Sequence, residues 1–149
     1  MPTYANNRKA FHNYSIEDTL EAGIALSGHE VKSIRSGNVS LAGAYVTIRN
    51  GEAFLRNAHV GKYKQAGILP GYDETRERKL LLHRNELLRL TNQLKEKGLT
   101  LVPLEIYTSK RRLKLKVGLA KGKKQYDKRE SIKRKETMRK IDRATKVRI

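Results

Sequence analysis

Residue patterns that could catalyse reactions or bind metals are scarce in this sequence. It contains no cysteine, which excludes disulfides, thiolate chemistry and cysteine-based zinc sites. Its four histidines are His12, His29, His59 and His83. None has the spacing to a second histidine or carboxylate that would place a metal-ligand set on one face, and no nucleophile stands in a local pattern with a base. The sequence therefore predicts a protein that is not an enzyme and holds no metal or cofactor.

A glycine-rich stretch near residue 120 resembles a phosphate-binding loop in part. Gly118-Leu-Ala-Lys-Gly-Lys-Lys124 contains closely spaced glycines and lysines. It lacks the GxxxxGK[ST] order and the strand-to-helix context that such a loop requires. Nucleotide binding is therefore the less favoured interpretation.

Positive charge is the strongest signal in the composition. Lys and Arg number 33 against 15 Asp and Glu, which gives a net charge of +18. Dividing the chain after Ala120 gives +9 to each part, although the second part has only 29 residues. Such an excess predicts a polyanionic partner. No stretch approaches the roughly 18 apolar residues of a membrane span and no signal-peptide core is present, so we expect a cytoplasmic protein with no membrane partner.

The residues after Ala120 have few apolar side chains and are not expected to pack against a core. Asp127-Lys-Arg-Glu130 has the spacing of a capping box, and no helix breaker follows it. Repulsion among the lysines and arginines disfavours this helix in free solution, whereas phosphates would neutralise the charges. We therefore expect a domain of residues 1–120 and a tail of residues 121–149 that is disordered when free and helical when bound.

One aromatic residue of the tail lies among its cations. Tyr126 stands between Lys124 and Lys128. A ring in this setting is typical of sites that stack on an exposed base. The spacing fits a solvent-facing tyrosine equally well, so both interpretations stay open.

Hydrophobic alternation predicts several strands in the body. Apolar residues alternate over residues 20–26 and again over 113–119, where Lys114 and Lys116 make the opposite face cationic. Further strands are expected over residues 39–41, 45–49, 53–60 and 99–107, and a loop over 61–73. Asn50-Gly51 predicts a type I′ hairpin turn.

A short helix is predicted between the first two of these strands. Ser27 and Glu30 have the spacing of a capping box, so we expect a helix over residues 30–35 that ends before Gly37. Its apolar side chains would face inward and its basic side chains outward. These are Val31 and Ile34 on the inner face, and Lys32 and Arg35 on the outer face.

A leucine stripe predicts a longer helix in the second half of the body. The residues on this stripe are Leu80, Leu87, Leu90 and Leu94. Gly98 is expected to end the helix. Leu80-Leu-Leu82 alone fits a helix or a buried strand, and we favour the helix, with His83 as the alternative start of a second helix.

These elements indicate a mainly β chain of the α+β class. The natural architecture is an OB-fold-like antiparallel β-barrel with about three flanking helices and a basic C-terminal tail. Residues 1–13 are polar and basic, and we expect them to form either an arm that orders on contact or an edge segment.

Eight sequence blocks occur together in a specific order and spacing. They are Asn7-Arg-Lys-Ala10, Tyr14 with Ile16, Glu21-Ala-Gly-Ile24, Gly28-His-Glu-Val-Lys-Ser-Ile-Arg35, Gly51-Glu52, Arg78-Lys-Leu-Leu-Leu-His83, Gly98-Leu-Thr-Leu-Val-Pro103 and Lys121-Gly-Lys-Lys-Gln-Tyr-Asp-Lys-Arg129. Over about residues 6–132 the chain thereby resembles the tmRNA-binding family called small protein B, the SsrA-binding protein of bacterial trans-translation.

The resemblance implies an OB-type barrel that binds the tRNA-like domain of tmRNA and delivers it to stalled ribosomes. It implies a tail that enters the empty mRNA channel as a helix. The implied partners are tmRNA, the ribosomal RNA of the decoding centre and mRNA channel, and elongation factor Tu in the delivery complex, with the protein itself a monomer. A structural ribosomal protein or general RNA-binding protein with a basic extension is the alternative that composition also fits.

The resemblance also assigns site residues in the body. Asn7, Glu21 and Leu81 correspond to a cluster implicated in tmRNA binding, and Lys9, Lys32 and Arg35 are phosphate contacts beside it. A carboxylate such as Glu21 repels phosphate, so it would accept hydrogen bonds from base edges or 2′-hydroxyls, or orient a basic neighbour. A salt bridge at the barrel rim is the alternative role for Glu21.

The tail motif used on the ribosome is matched by seven residues. They are Gly122, Lys123, Lys124, Tyr126, Asp127, Lys128 and Arg129. Asp127 would cap the tail helix while its neighbours hold RNA phosphates. Residues beyond Ile132 follow no motif of the family, and His29 stands at a position that varies within it.

Overall fold

The computed structural model describes residues 3–63, 67 and 70–122. The elements in these ranges are, in chain order, β1 (Thr3–Asn6), α1 (Arg8–Asn13), β2 (Tyr14–Ile24), α2 (Gly28–Arg35), β3 (Val39–Ser40), β4 (Tyr45–Arg49), β5 (Glu52–Arg56), β6 (His59–Val60), β7 (Arg78–Leu81), α3 (Arg84–Lys97), β8 (Thr100–Ser109) and β9 (Arg112–Gly122).

Seven of the strands form one antiparallel sheet. Its order is β1-β8-β9-β2-β7-β5-β4, and β3 pairs separately with β6. The long strands β2, β8 and β9 form the middle of the sheet, which curls until β4 lies against β8. The predicted fold class, a mainly β antiparallel barrel with about three short helices, is confirmed.

The inner face of the barrel is apolar because alternate residues of each strand point inward. On β9, Leu113, Leu115, Val117 and Leu119 are buried, and the basic residues between them are more exposed. In a smaller cluster, Ala10 of α1 packs with Val102 and Leu104 in the first half of β8 and with Ala120 of β9. Burial of the apolar residues in these clusters is the main force that stabilises the fold.

The predicted hairpin at Asn50-Gly51 is confirmed. Both residues have positive φ, 52° and 74°, as a type I′ turn requires, and Arg49 pairs with Glu52 across it. The returning strand is shorter than predicted. β5 ends at Arg56 because Asn57 also has positive φ (61°), and β6 then pairs with β3.

The predicted helix across Leu80-Leu-Leu82 is wrong, and the segment belongs to strand β7. Leu80 is 2% exposed and points into the core, whereas Leu81 is 55% exposed and points outward. β7 lies between β2 and β5, so both neighbours satisfy its backbone groups. The alternative start at His83 is correct: its backbone N–H donates to Glu86 Oε1 at 3.1 Å, and α3 follows.

The chain ends of the body are integrated into the sheet. β1 is an edge strand beside β8, in agreement with the edge segment expected over residues 1–13, and α1 after it was not predicted. β9 extends two residues beyond the expected boundary at residue 120, because Lys121 pairs with Ser15 and Gly122 with Tyr14.

A buried ion pair fixes α2 on the barrel. The Glu30 carboxylate is fully buried and accepts from Arg78 Nε at 2.8 Å, from the Tyr72 hydroxyl at 3.2 Å and from Arg76. It also completes the predicted capping box by accepting from the Ser27 backbone N–H at 3.0 Å. The start of α2 is thereby tied to the first residue of β7.

Candidate nucleic-acid interface

The strand register places two of the predicted site residues, Glu21 and Leu81, on one side of the sheet. Glu21 of β2 lies opposite Lys116 of β9, and two residues further along β2, Gly23 lies opposite Lys114. Tyr107 of β8 lies opposite Lys114 on the other side, and Leu81 of β7 lies opposite Gly23. Their neighbours along the strands, such as Ala22 and Leu115, are fully buried. We call Glu21, Leu81, Tyr107, Lys114 and Lys116 the outer sheet face.

Leu81 stands between two grooves on this side of the molecule. Gly23, Leu81, Arg112 and Lys114 line both of them. The larger Leu81 groove, about 730 Å³, extends towards the start of α3 and includes Lys79 and Arg84. The smaller, about 300 Å³, extends towards α2 and includes Val31 and Arg35. Each Leu81 groove thus combines apolar and cationic walls, a combination that suits bases and phosphates.

Glycine at position 23 makes room for Leu81. A Cβ at Gly23 would lie 3.1 Å from Leu81 Cβ, which is closer than ordinary packing allows. The absence of that Cβ lets Leu81 lean across the neighbouring strand. Leu81 and Leu88 are the two large apolar side chains of the described residues that are more than half exposed.

Glu21 is held by a hydrogen bond that crosses the sheet. The Tyr107 hydroxyl donates to Glu21 Oε2, although β9 lies between their strands. Burial of the phenol, together with this bond to the Glu21 carboxylate, raises the pKa of Tyr107 above its ordinary value. Lys116, opposite Glu21, lies 3.5 Å from Glu105. Among the described residues, the structure pairs Glu21 with Tyr107 and shows no salt bridge to Glu21.

The two predicted cations of α2 are exposed. Arg35 lines the smaller Leu81 groove and donates to the Arg111 carbonyl at 3.2 Å. Lys32 Nζ lies 5.8 Å from the centre of the Tyr63 ring. Both point outward as predicted, while Ile34 between them is fully buried.

Asn7 and Lys9 form a separate group at the far edge of the sheet. Asn6, the residue before Asn7, is aligned with Glu21 across β8 and β9, three strand spacings or about 14 Å away. Lys9 is exposed on α1 beside the segment after β3. The six predicted body residues therefore lie in two groups, one around Leu81 and one on α1.

The Asn7 side chain is engaged within the protein. Its Nδ2 donates to the Pro103 carbonyl at 2.9 Å, and its Oδ1 accepts from the Ala10 backbone N–H at 3.3 Å. Asn7 is thus the N-cap of α1 and ties that helix to β8.

Most of the predicted tail site lies outside the described residues. Gly122 is the last residue of β9. The other predicted tail residues, Lys123, Lys124, Tyr126, Asp127, Lys128 and Arg129, are not among those that the structure describes.

Sequence reasoning missed two residues that the fold adds to this surface. Arg112 lines both Leu81 grooves, and Tyr107 holds Glu21. The basic turn before Arg112, together with the cationic face around Lys114, was a usable signal for the first. Nothing local marks Tyr107. Over residues 3–63, 67 and 70–122, no cluster of three or more His, Asp or Glu residues is placed to hold a metal.

Residues 4–147 match the family model described as SmpB protein. The chain belongs to the SmpB protein family. An SsrA-binding protein of Roseiflexus sp. (strain RS-1) is 54% identical over 144 residues, which cover 97% of this chain and 91% of the relative. An SsrA-binding protein of Enterococcus faecalis is 53% identical over 142 residues, 95% of this chain and 92% of the relative.

Solved structures agree with this SmpB assignment. A chain in the structure described as "tmRNA-SmpB: a journey to the center of the bacterial ribosome" is 44% identical to this chain, with a TM-score of 0.67. The match covers 89% of this chain and 95% of the other. SmpB family membership confirms the resemblance seen in the sequence, and with it the prediction of a binding protein and not an enzyme. Among the described helices, none is long and apolar enough to cross a membrane.

Proposed function

We propose that this protein binds the tRNA-like domain of tmRNA and delivers it to stalled ribosomes. The observation that carries the proposal is the outer sheet face: an exposed leucine between cationic grooves, on a chain that matches the SmpB model over residues 4–147. Relatives described as SsrA-binding proteins supply the identity of the RNA. The work of the protein would take place in the cytoplasm.

Each part of this surface has a distinct role in the proposed complex. Arg35, Arg112 and Lys114 contact phosphates, because their charges line the Leu81 grooves. Leu81 packs against the apolar face of a base or ribose. Glu21 accepts a hydrogen bond from an RNA donor, since a carboxylate cannot bind phosphate.

We assign a second role to the part of the basic tail that follows β9, from residue 123 to residue 149. In the proposed complex it enters the empty mRNA channel and becomes helical there, with Asp127 as cap and Tyr126 stacking on a base. This part of the proposal is supported by charge and by the family motif from Gly122 to Arg129. Elongation factor Tu would accompany the complex, and the protein would act as a monomer.

Substitution of Leu81 tests the proposal directly. We expect Leu81→Asp to weaken binding of the transcribed tRNA-like domain by about tenfold or more, because the new carboxylate removes the apolar contact and repels phosphates. Leu88→Asp is the matched control, since Leu88 is 58% exposed on α3 and lines neither Leu81 groove. Fluorescence anisotropy with labelled RNA measures both variants. Equal affinity of Leu81→Asp and wild type would remove this surface from the site.

Recovery of bound RNA from cells separates the proposal from the structural ribosomal alternative. A tagged chain that delivers tmRNA should enrich one tRNA-like transcript above all others. A structural ribosomal protein should instead be found in stoichiometric amounts on translating ribosomes. The RNA recovered with it should then be ribosomal RNA, with no enrichment of one tRNA-like transcript.

A further inference from the structure

We propose that Tyr107 is a positioning residue of the RNA site, which holds the Glu21 carboxylate so that it accepts a hydrogen bond from a ribose 2′-hydroxyl. This inference rests on the proposed function and adds the chemical group that Glu21 recognises. It also extends the site to a strand, β8, in which the sequence analysis assigned no site residue.

The geometry begins with the path of the Tyr107 side chain. Tyr107 lies opposite Lys114, and Glu21 lies opposite Lys116. The hydrogen bond between Tyr107 and Glu21 therefore passes diagonally over β9 between the two lysines. A glutamate on an open sheet surface would otherwise sample several rotamers, and a fixed donor removes that freedom.

The Tyr107 hydroxyl leaves most of the acceptor capacity of Glu21 unused. It donates to Oε2, and no side chain of the described residues donates to Oε1. A carboxylate offers about four acceptor positions, so Oε1 can accept from a ligand while Tyr107 remains bound. A tyrosine hydroxyl is protonated at neutral pH, so Tyr107 acts as the donor to Glu21.

The surrounding charges select the class of donor. Lys114 and Arg112 follow one another on the same face of β9 and bring RNA phosphates close to Glu21. The donor that every RNA nucleotide carries beside its phosphates is the ribose 2′-hydroxyl, whereas base N–H groups point away from the backbone. DNA lacks this hydroxyl, so the contact discriminates between the two nucleic acids.

The test is 2′-deoxy interference on the tRNA-like domain. A pool of transcripts with randomly placed 2′-deoxy nucleotides is bound to the full chain, and the bound fraction is mapped by position. The variants are Glu21→Ala and Tyr107→Phe, with Tyr45→Phe as the control, because Tyr45 is an exposed tyrosine that lines neither Leu81 groove. Thermal unfolding of each variant verifies that the fold is intact.

Wild type and Tyr45→Phe should show interference at one or two positions. Glu21→Ala should abolish it, and Tyr107→Phe should weaken it and lower affinity by about five- to tenfold. An unchanged interference pattern in Tyr107→Phe overturns the inference, with or without a loss of affinity, because Tyr107 would then act through another contact. Wild-type protein that does not bind this RNA at all would refute the proposed function itself.

Discussion

The position of Leu81 at the candidate interface depends on a glycine at position 23. Gly23 has no Cβ, and an added Cβ would lie 3.1 Å from Leu81 Cβ. We expect Gly23→Ala to lower the free energy of unfolding by about 1–3 kcal/mol and to weaken RNA binding, because Leu81 must shift. Gly28→Ala is the control, since no atom lies within 4 Å of its added Cβ. Urea unfolding and RNA titration measure the two effects. Identical values for both alanine variants would contradict the role given to Gly23.

Asn7 shows how a residue assigned to RNA binding can have a structural role. Its amide caps α1 and bonds to Pro103. We expect Asn7→Ala to reduce the free energy of unfolding by about 1–2 kcal/mol, through loss of the cap and of one further hydrogen bond. Asn6→Ala, at the exposed neighbouring position, should have little effect. If Asn7→Ala lowers RNA affinity with no change in urea unfolding, Asn7 contacts RNA and its capping role is minor.

At the scale of elements, α2 is held by one buried carboxylate. Bonds from Arg76, Arg78 and the Ser27 backbone outweigh the burial that opposes ionisation, and lower the pKa of Glu30 from 4.5 to about 2. Because folding lowers this pKa, the contribution of Glu30 to stability is complete above about pH 4.5 and is lost as the pH falls towards 2.

Glu30→Gln should remove this part of the pH dependence. We expect wild type to lose about 3 kcal/mol more stability than the variant between pH 6 and about pH 2, as measured by urea unfolding. At neutral pH the variant should be less stable than wild type, because the buried Arg78 guanidinium no longer has a negatively charged partner. Glu17→Gln, at an exposed site on β2, should keep the wild-type pH profile. Parallel profiles for wild type and Glu30→Gln would show that the ion pair does not control acid stability.

At the scale of the whole molecule, charge is divided equally between a long body and a short tail. Because β9 extends to Gly122, truncation after this residue preserves the sheet, whereas truncation after Ala120 would remove two paired residues. We expect the chain ending at Gly122 to keep most of its affinity for the tRNA-like domain and to lose activity in tagging on stalled ribosomes. If the body contacts about six phosphates, affinity should fall about a thousandfold between 50 and 200 mM salt for both chains. A much shallower salt dependence after truncation would place the tail on the tRNA-like domain.

Local sequence patterns were sufficient to predict the elements that depend on one apolar face or on one turn. Alternation identified the strand over 113–119, and Asn50-Gly51 identified the hairpin. Ser27 with Glu30 identified the capping box of α2, although the helix begins at Gly28 and not at residue 30 as predicted. The family motifs selected Glu21 and Leu81, which the structure brings to adjacent strands on the outer sheet face. These features depend on residues close in the chain or on an order of motifs, and both can be recognised without coordinates.

The sequence by itself determined the charge, the turns and most of the strands of this protein, because those properties follow from neighbouring residues. Tertiary structure alone decided that Leu80 lies in a strand, since leucine fits both a helix and a sheet and the flanking strands β2 and β5 supply the deciding hydrogen bonds. It alone joined Glu30 to Arg78, 48 residues away, and Glu21 to Tyr107, 86 residues away. No local sequence pattern identifies such pairs, because the order of the strands in the sheet brings their side chains together.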